Sequence, residues 1–98
     1  MPTNKEQTGF CGFIQLCLAL KNAEQAEEFF DLFMTPQDKQ DFAARFLIVK
    51  ELLKNGKSQR DMAADLNVSI AKITRGSNSL KKCSKELTEF IKQYTQSV

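Results

Sequence analysis

The sequence has no histidine and contains only four glycines, two prolines and three cysteines among its 98 residues. Without histidine, the chain lacks the usual base of a Cys–His nucleophile pair and the most common nitrogen ligand of a zinc site. Cys11, Cys17 and Cys83 have no C-x-x-C spacing, so we predict reduced thiols in the core and no metal. Long stretches free of glycine and proline favour helices over a turn-rich β fold. We therefore expect an all-α protein.

Long apolar runs are also missing. No segment approaches the roughly 18 apolar residues of a membrane span, and the N-terminus lacks the basic start and apolar stretch of a signal peptide. The sequence therefore predicts a cytoplasmic protein without a membrane partner. An enzyme is the least favoured function class, because the chain has no phosphate-cradling glycine loop and no evident pair of catalytic carboxylates.

Charge is unevenly distributed along the chain, although the formal net charge is only +2. Residues 24–51 carry seven acids and three bases, a net charge of −4. Residues 56–82 carry six bases and two acids, a net charge of +4. Such a short basic stretch is typical of a surface that binds phosphates. The length indicates one globular domain, residues 1–98, in which we predict residues 1–8 to be a flexible arm.

Apolar residues recur with helical spacing in four segments outside the basic stretch, at residues 10–20, 23–33, 35–55 and 84–96. Thr35 and Pro36 have the pattern of an N-cap and a first helical residue, and we expect Gly56 to end the helix that they begin. The predicted buried face of that helix consists of Phe42, Phe46, Val49, Leu52 and Leu53.

The first two predicted helices are apolar on more faces than a chain of this size can cover by itself. Residues 29–34 alone contain five large apolar side chains. We expect a second copy of the chain to cover the surplus in a homodimer. A well-filled monomeric core is the alternative.

Residues 58–75, SQRDMAADLNVSIAKITR, have the pattern of a helix-turn-helix. Ser58 and Ser69 can cap two short helices, and Asn67 stands at the turn, where asparagine tolerates the left-handed conformation. Ala63 is small where the two helices approach each other, and Ile73 is expected to point inward. A short helical corner without a nucleic-acid partner is the alternative, which the basic charge disfavours.

The second helix of this unit would enter the major groove of double-stranded DNA. We expect Lys72 to donate to a base more than to reach a phosphate, because residues early in a recognition helix point at the groove floor. The predicted DNA-contacting residues are Gln59, Arg60, Ile70, Ala71, Lys72, Thr74 and Lys81.

Arg75 and Gly76 follow directly, with Ser79 one turn further on. A glycine beside an arginine lets a ligand approach the backbone, and the serine hydroxyl lies on the same side of a helix. These residues suit an anionic ligand that also carries a donor. The alternative is the end of a helix with Gly76 as its cap.

The stretch SIAKITRGSNSLK at residues 69–81 resembles the signature of the tryptophan repressor family, and MTPQDK at 34–39 and SQRD at 58–61 fall in register with it. The similarity covers about residues 12–96. It implies a six-helix chain that intertwines with a second copy, with its fourth and fifth helices forming the helix-turn-helix.

The resemblance further implies two identical pockets for L-tryptophan, which acts as the corepressor. Arg45 and Arg75 would sandwich the indole by stacking and cation–π attraction, and Arg75 would also meet the carboxylate. Gly76 would leave room for the ring. The ammonium group would be bound by Ser79 and by backbone carbonyls near Leu32 and Met34 of the partner subunit, with Thr35 completing that wall.

The implied function is tryptophan-dependent repression of genes for tryptophan biosynthesis or uptake. A filled pocket would hold the two recognition helices about 34 Å apart, the spacing of successive major grooves. Two rivals stay open at this point. One is a helix-turn-helix protein that binds DNA without a ligand, and the other is a helical interaction module without a nucleic-acid partner.

Overall fold

The computed structural model describes residues 4–95 and divides the chain into two compact units between Thr35 and Pro36. The described residues contain no strand, so the predicted all-α class is confirmed. The six helices are α1 (Lys5–Ala19), α2 (Ala23–Phe33), α3 (Pro36–Lys54), α4 (Gln59–Leu66), α5 (Ile70–Lys81) and α6 (Lys85–Thr95).

Asparagine caps begin both helices of the first unit. The side chain of Asn4 accepts a hydrogen bond from the Gln7 backbone at 2.7 Å, and the Gln7 side chain accepts one from the Asn4 backbone at 3.3 Å. This capping box starts α1 at Lys5, earlier than the predicted start at Phe10. Residues 5–8 are therefore helical where a flexible arm was predicted, and residues 1–3 of that arm lie outside the described residues.

Phenylalanine rings hold α1 and α2 together within the first unit. The ring centroid of Phe13 lies 5.4 Å from Phe29, 6.3 Å from Phe30 and 5.5 Å from Phe33. Nevertheless, neither helix has a fully buried residue, and Leu18 keeps 82% of its surface exposed. The apolar surplus that the sequence indicated is thus present on the surface of the single chain.

The core of the second unit lies where α3, α4 and α5 meet. Ile73 of α5 is completely buried and Ile48 of α3 is 2% exposed. Other apolar side chains surround these two, namely Met62, Ala63, Leu52, Leu66 and Val68. This core fixes α5 on α3 and α4, and so sets the orientation of the predicted recognition helix.

The buried face of α3 differs from the predicted one. Phe42 and Phe46 are 62% and 49% exposed, whereas Ile48, which was absent from the predicted face, is in the core. Residues two positions apart point about 200° apart on a helix, so the row that holds Ile48 faces α5 while Phe46 faces away. The prediction was therefore right in part: Val49, Leu52 and Leu53 are half-buried and Leu52 packs against the core, whereas the single chain leaves the two phenylalanines uncovered.

The end of α3 also differs from expectation. Asn55, not Gly56, adopts the left-handed conformation, with φ of 55°, and the helix ends at Lys54. The thiols of Cys11, Cys17 and Cys83 are free, but Cys11 and Cys83 are exposed where core positions were predicted. No helix in residues 4–95 has both the length and the apolar character needed to cross a membrane.

Candidate functional site

The helix-turn-helix is built by two serine caps and one left-handed residue. Ser58 accepts from the Asp61 N–H at 3.1 Å and begins α4, and Ser69 accepts from the Lys72 N–H at 3.2 Å and begins α5. Between the helices, Asn67 has φ 56° and ψ 47°, which is the left-handed region predicted for it. Each of these local features agrees with the pattern in the sequence.

A side-chain hydrogen bond links the two helices of this unit. Thr74 Oγ1 donates to Gln59 Oε1 at 3.1 Å, which joins two predicted DNA contacts across the corner. Lys57, just before α4, forms an ion pair with Asp65, and the hydrogen bond and negative charge of Asp65 raise the pKa of Lys57. The remaining predicted DNA contacts are exposed, namely Arg60, Ile70, Ala71, Lys72 and Lys81.

Gly76 lies in the middle of α5, not at its end. The helix continues to Lys81, and Gly76 has an ordinary helical backbone, so the alternative of a glycine cap is wrong. Gly76 is buried against α3, where a Cβ would stand 2.8 Å from Ile48 Cγ2 and 3.6 Å from Arg45 Nη1. The glycine therefore allows α5 to approach α3 closely, and it places the Arg45 guanidinium beside the backbone of α5.

A cavity of about 250 Å³ opens between α3 and α5. Arg45 and Arg75, the predicted pair around the indole ring, both line it. This volume lies just below the roughly 300–1,000 Å³ of pockets for drug-sized ligands, and so suits a smaller molecule. The other residues of its wall are Asp41, Ala44, Ile48 and Lys72.

The charges on this wall favour an anion. Three cations, Arg45, Lys72 and Arg75, face one acid, Asp41. Within residues 4–95, none of the three cations forms an ion pair with a protein carboxylate. Asp41 accepts a hydrogen bond from Gln37 Nε2 at 3.0 Å. No group of three or more acids and cysteines in the described part of the chain could hold a metal ion.

The remaining predicted ligand contacts do not line this cavity. Ser79 lies on the exposed surface of α5, one turn after Arg75. The other three belong to the first unit: Leu32 is 77% exposed near the end of α2, Met34 caps that helix, and Thr35 is exposed just before α3.

Sequence reasoning missed three residues of the cavity wall, Asp41, Ala44 and Ile48. Together with Arg45 they occupy positions i, i+3, i+4 and i+7 of α3, which is the spacing of one helix face. The signal was thus present in the sequence. These four positions hold one acid, one base and two apolar residues, so a search for an apolar stripe does not detect them.

Comparison with known proteins identifies the family. Residues 9–95 match the Trp repressor protein family. A Trp operon repressor homolog of Chlamydia caviae is 41% identical over 94% of this chain and 91% of its own length. The homologs of Chlamydia trachomatis serovar D and Vibrio cholerae are 36% and 40% identical, over 92% and 83% of this chain and 96% and 82% of their own lengths. The chain belongs to the Trp repressor family of transcription regulators.

Proposed function

We propose that the chain is a repressor that binds operator DNA as a homodimer when L-tryptophan occupies the cavity between α3 and α5. The observation that carries this proposal is that Arg45 and Arg75 line one cavity, and that one wall of this cavity is α5, the helix that would read DNA. Two guanidinium planes can hold an aromatic ring between them, and Arg75 can also bind a carboxylate. We also propose that the corepressor acts without a metal.

The end of α2 supplies a feature that supports the expected ammonium site. The last carbonyls of a helix have no partner within the helix. Four residues after Leu32 stands Pro36, which has no N–H and cannot bond to the Leu32 carbonyl. A carbonyl of this kind suits an ammonium donor. In the proposed dimer, Leu32, Met34 and Thr35 of one protomer would complete the pocket of the other, with Ser79 as a further acceptor.

A ligand in this pocket can control DNA binding because α5, the proposed recognition helix, also forms one wall of the pocket. The side chains of Lys72 and Arg75 lie on the cavity wall, while Ile70, Ala71 and Thr74 are exposed on the same helix. A bound ligand that packs between α3 and α5 would favour one orientation of α5. Reciprocity then requires DNA to raise the affinity for tryptophan by the same factor.

The homodimer is the first prediction. The exposed apolar residues of α1, α2, α3 and α6 exceed what a stable monomer leaves in water. They include Leu18, Leu32, Phe42, Phe46, Phe90 and Tyr94. Sedimentation equilibrium at micromolar concentration should show a species of about twice the chain mass of 11.1 kDa. A single 11.1 kDa species would refute the dimer.

The second prediction concerns DNA. In the presence of saturating L-tryptophan, the protein should select one family of duplex sites from a randomised library, and its affinity for them should fall at least tenfold without tryptophan. Equal selection in both conditions would favour the rival that binds DNA without a ligand. No salt-dependent DNA binding in either condition would favour a helical interaction module.

A further inference from the structure

The hydroxyl group of Thr74 on α5 contacts the side chain at the start of α4. Thr74 Oγ1 donates to Gln59 Oε1 at 3.1 Å, and the Ile70 carbonyl oxygen lies at the same distance. A hydroxyl has one hydrogen to donate. In an α-helix the carbonyl of residue 70 also accepts the backbone N–H of residue 74, so the Gln59 oxygen is the acceptor that depends on the hydroxyl.

The direction of this hydrogen bond determines what Gln59 can offer to DNA. A glutamine reads adenine by presenting its amide oxygen and its NH2 group side by side to the base. In Gln59 the oxygen is turned toward Thr74. The NH2 group, on the other arm of the planar amide, is then left to donate elsewhere. The side chain is thus arranged as a donor and not as a reader of adenine.

We propose that Thr74 is a positioning residue, which holds the Gln59 amide so that its NH2 group donates to a phosphate of the DNA backbone. This inference rests on the proposed function, since it gives two of the predicted DNA contacts separate tasks. Gln59 touches the DNA, whereas Thr74 acts through Gln59. A phosphate contact of this kind fixes the protein on the duplex without reading its sequence.

The surroundings of Gln59 favour an anion. Gln59 is the first residue of α4, where the helix dipole is positive. It also lines a second cavity, of about 350 Å³, together with Lys57 and Lys81. The residues that line this cavity include no carboxylate. Lys57 is paired with Asp65, but Lys81 forms no ion pair within the described part of the chain.

The Thr74–Gln59 hydrogen bond lies at the surface, where DNA can reach it. Thr74 is exposed and Gln59 is half-buried. The packing of α5 on α4 depends instead on the core, in which Ile73 and Met62 are 0% and 3% exposed. Removal of the Thr74 hydroxyl should therefore leave the helix-turn-helix folded.

Thr74→Val tests the role of the hydroxyl, because valine keeps the branched shape and removes the donor. Fluorescence anisotropy would measure binding, with saturating L-tryptophan, to a duplex selected from the randomised library and to its single-base variants. Thr74→Val should weaken binding to all these duplexes about three- to tenfold. The slope of log K against log salt should stay the same, because it follows the phosphates that lysine and arginine neutralise. Thr74→Ser keeps the hydroxyl and should retain most of the affinity.

A double-mutant cycle shows whether Thr74 acts through Gln59. Gln59→Ala should weaken binding at least as much as Thr74→Val, and the double variant should bind as Gln59→Ala does. Thr95→Val on α6 is the matched control. Thr95 Oγ1 also donates to the carbonyl four residues earlier, that of Ile91, but lies outside the helix-turn-helix. This variant should bind DNA as the unmodified protein does.

Two results would overturn this inference while the proposed function stands. One is an unchanged affinity in Thr74→Val, or an equal loss from Thr74→Val with and without the Gln59 side chain. The other is a loss confined to one base position, which would make the pair a base reader. An unmodified protein that selects no duplex from the library would overturn both proposals.

Discussion

Replacing Arg75 by alanine is expected to lower the affinity for L-tryptophan by about thirtyfold or more. In the proposed complex, the substitution would remove a charge-assisted hydrogen bond to the carboxylate, worth about 2 kcal/mol, together with one of the two guanidinium planes proposed to stack on the ring. Arg75 is exposed on α5 and forms no ion pair among the described residues, so the fold should persist. Calorimetric titration with L-tryptophan measures the loss, and far-ultraviolet circular dichroism confirms that the helices are intact.

The conservative variant Arg75→Lys separates charge from shape. Lysine keeps the positive charge but cannot stack a planar guanidinium or bind a carboxylate with two parallel hydrogen bonds. Its affinity should therefore lie between those of the unmodified protein and Arg75→Ala. If Arg75→Ala bound L-tryptophan as tightly as the unmodified protein, the assignment of the cavity to this ligand would be wrong.

The helix-turn-helix could be predicted residue by residue because local chemistry determines it. A serine before each helix supplies a cap, an asparagine tolerates the left-handed turn, and the structure places Ser58, Asn67 and Ser69 in these roles. None of these signals depends on distant parts of the chain. The order of the helices followed from similar local signals, but some bounds did not: the capping box of Asn4 was overlooked at the start of α1, and Asn55 rather than Gly56 follows the end of α3.

The buried face of α3 could not be predicted in the same way, because this helix has apolar residues on more than one side. In the proposed dimer α3 would pack on its own chain and also on a second copy, and would then carry apolar residues on both sides, so that its periodicity does not mark one buried stripe. Phe42 and Phe46 follow the stronger apolar stripe and stay exposed, while Ile48 fills the core. The cavity wall was missed for a related reason: its charged members look like a solvated helix face until α5 is placed opposite.

Gly76→Ala is expected to destabilise the protein, although alanine is the better helix former. In a helix interior the exchange should gain up to about 1 kcal/mol from backbone propensity alone. The new methyl group would stand 2.8 Å from Ile48 Cγ2, and Ile48 is only 2% exposed and cannot move into solvent. Overpacking of this kind costs about 1–3 kcal/mol, so we expect a net loss of up to about 2 kcal/mol in the free energy of unfolding.

The same clash should disturb the ligand pocket. The added Cβ would push α5 away from α3, and both helices supply the cavity wall. Tryptophan binding should therefore weaken together with stability. The resemblance implied that Gly76 makes room for the ring, whereas the structure gives it a second reason, which is close packing on Ile48.

A double-mutant cycle tests whether Ile48 causes the loss. Ile48→Val keeps Cγ2 and should leave the cost of Gly76→Ala nearly unchanged, whereas Ile48→Ala removes Cγ2 and should make Gly76→Ala neutral or stabilising in that background. Asn78→Ala, at an exposed position of the same helix, is the control for helix propensity and should be neutral or slightly stabilising. Urea unfolding of all variants at one protein concentration gives the free energies, since the stability of the proposed dimer would depend on concentration. One contrary result is that Gly76→Ala lowers the free energy of unfolding by the same amount in the Ile48→Ala background as in the unmodified protein, and another is that it is as stabilising as Asn78→Ala. Either result would show that close packing on Ile48 is not the reason for a glycine at position 76.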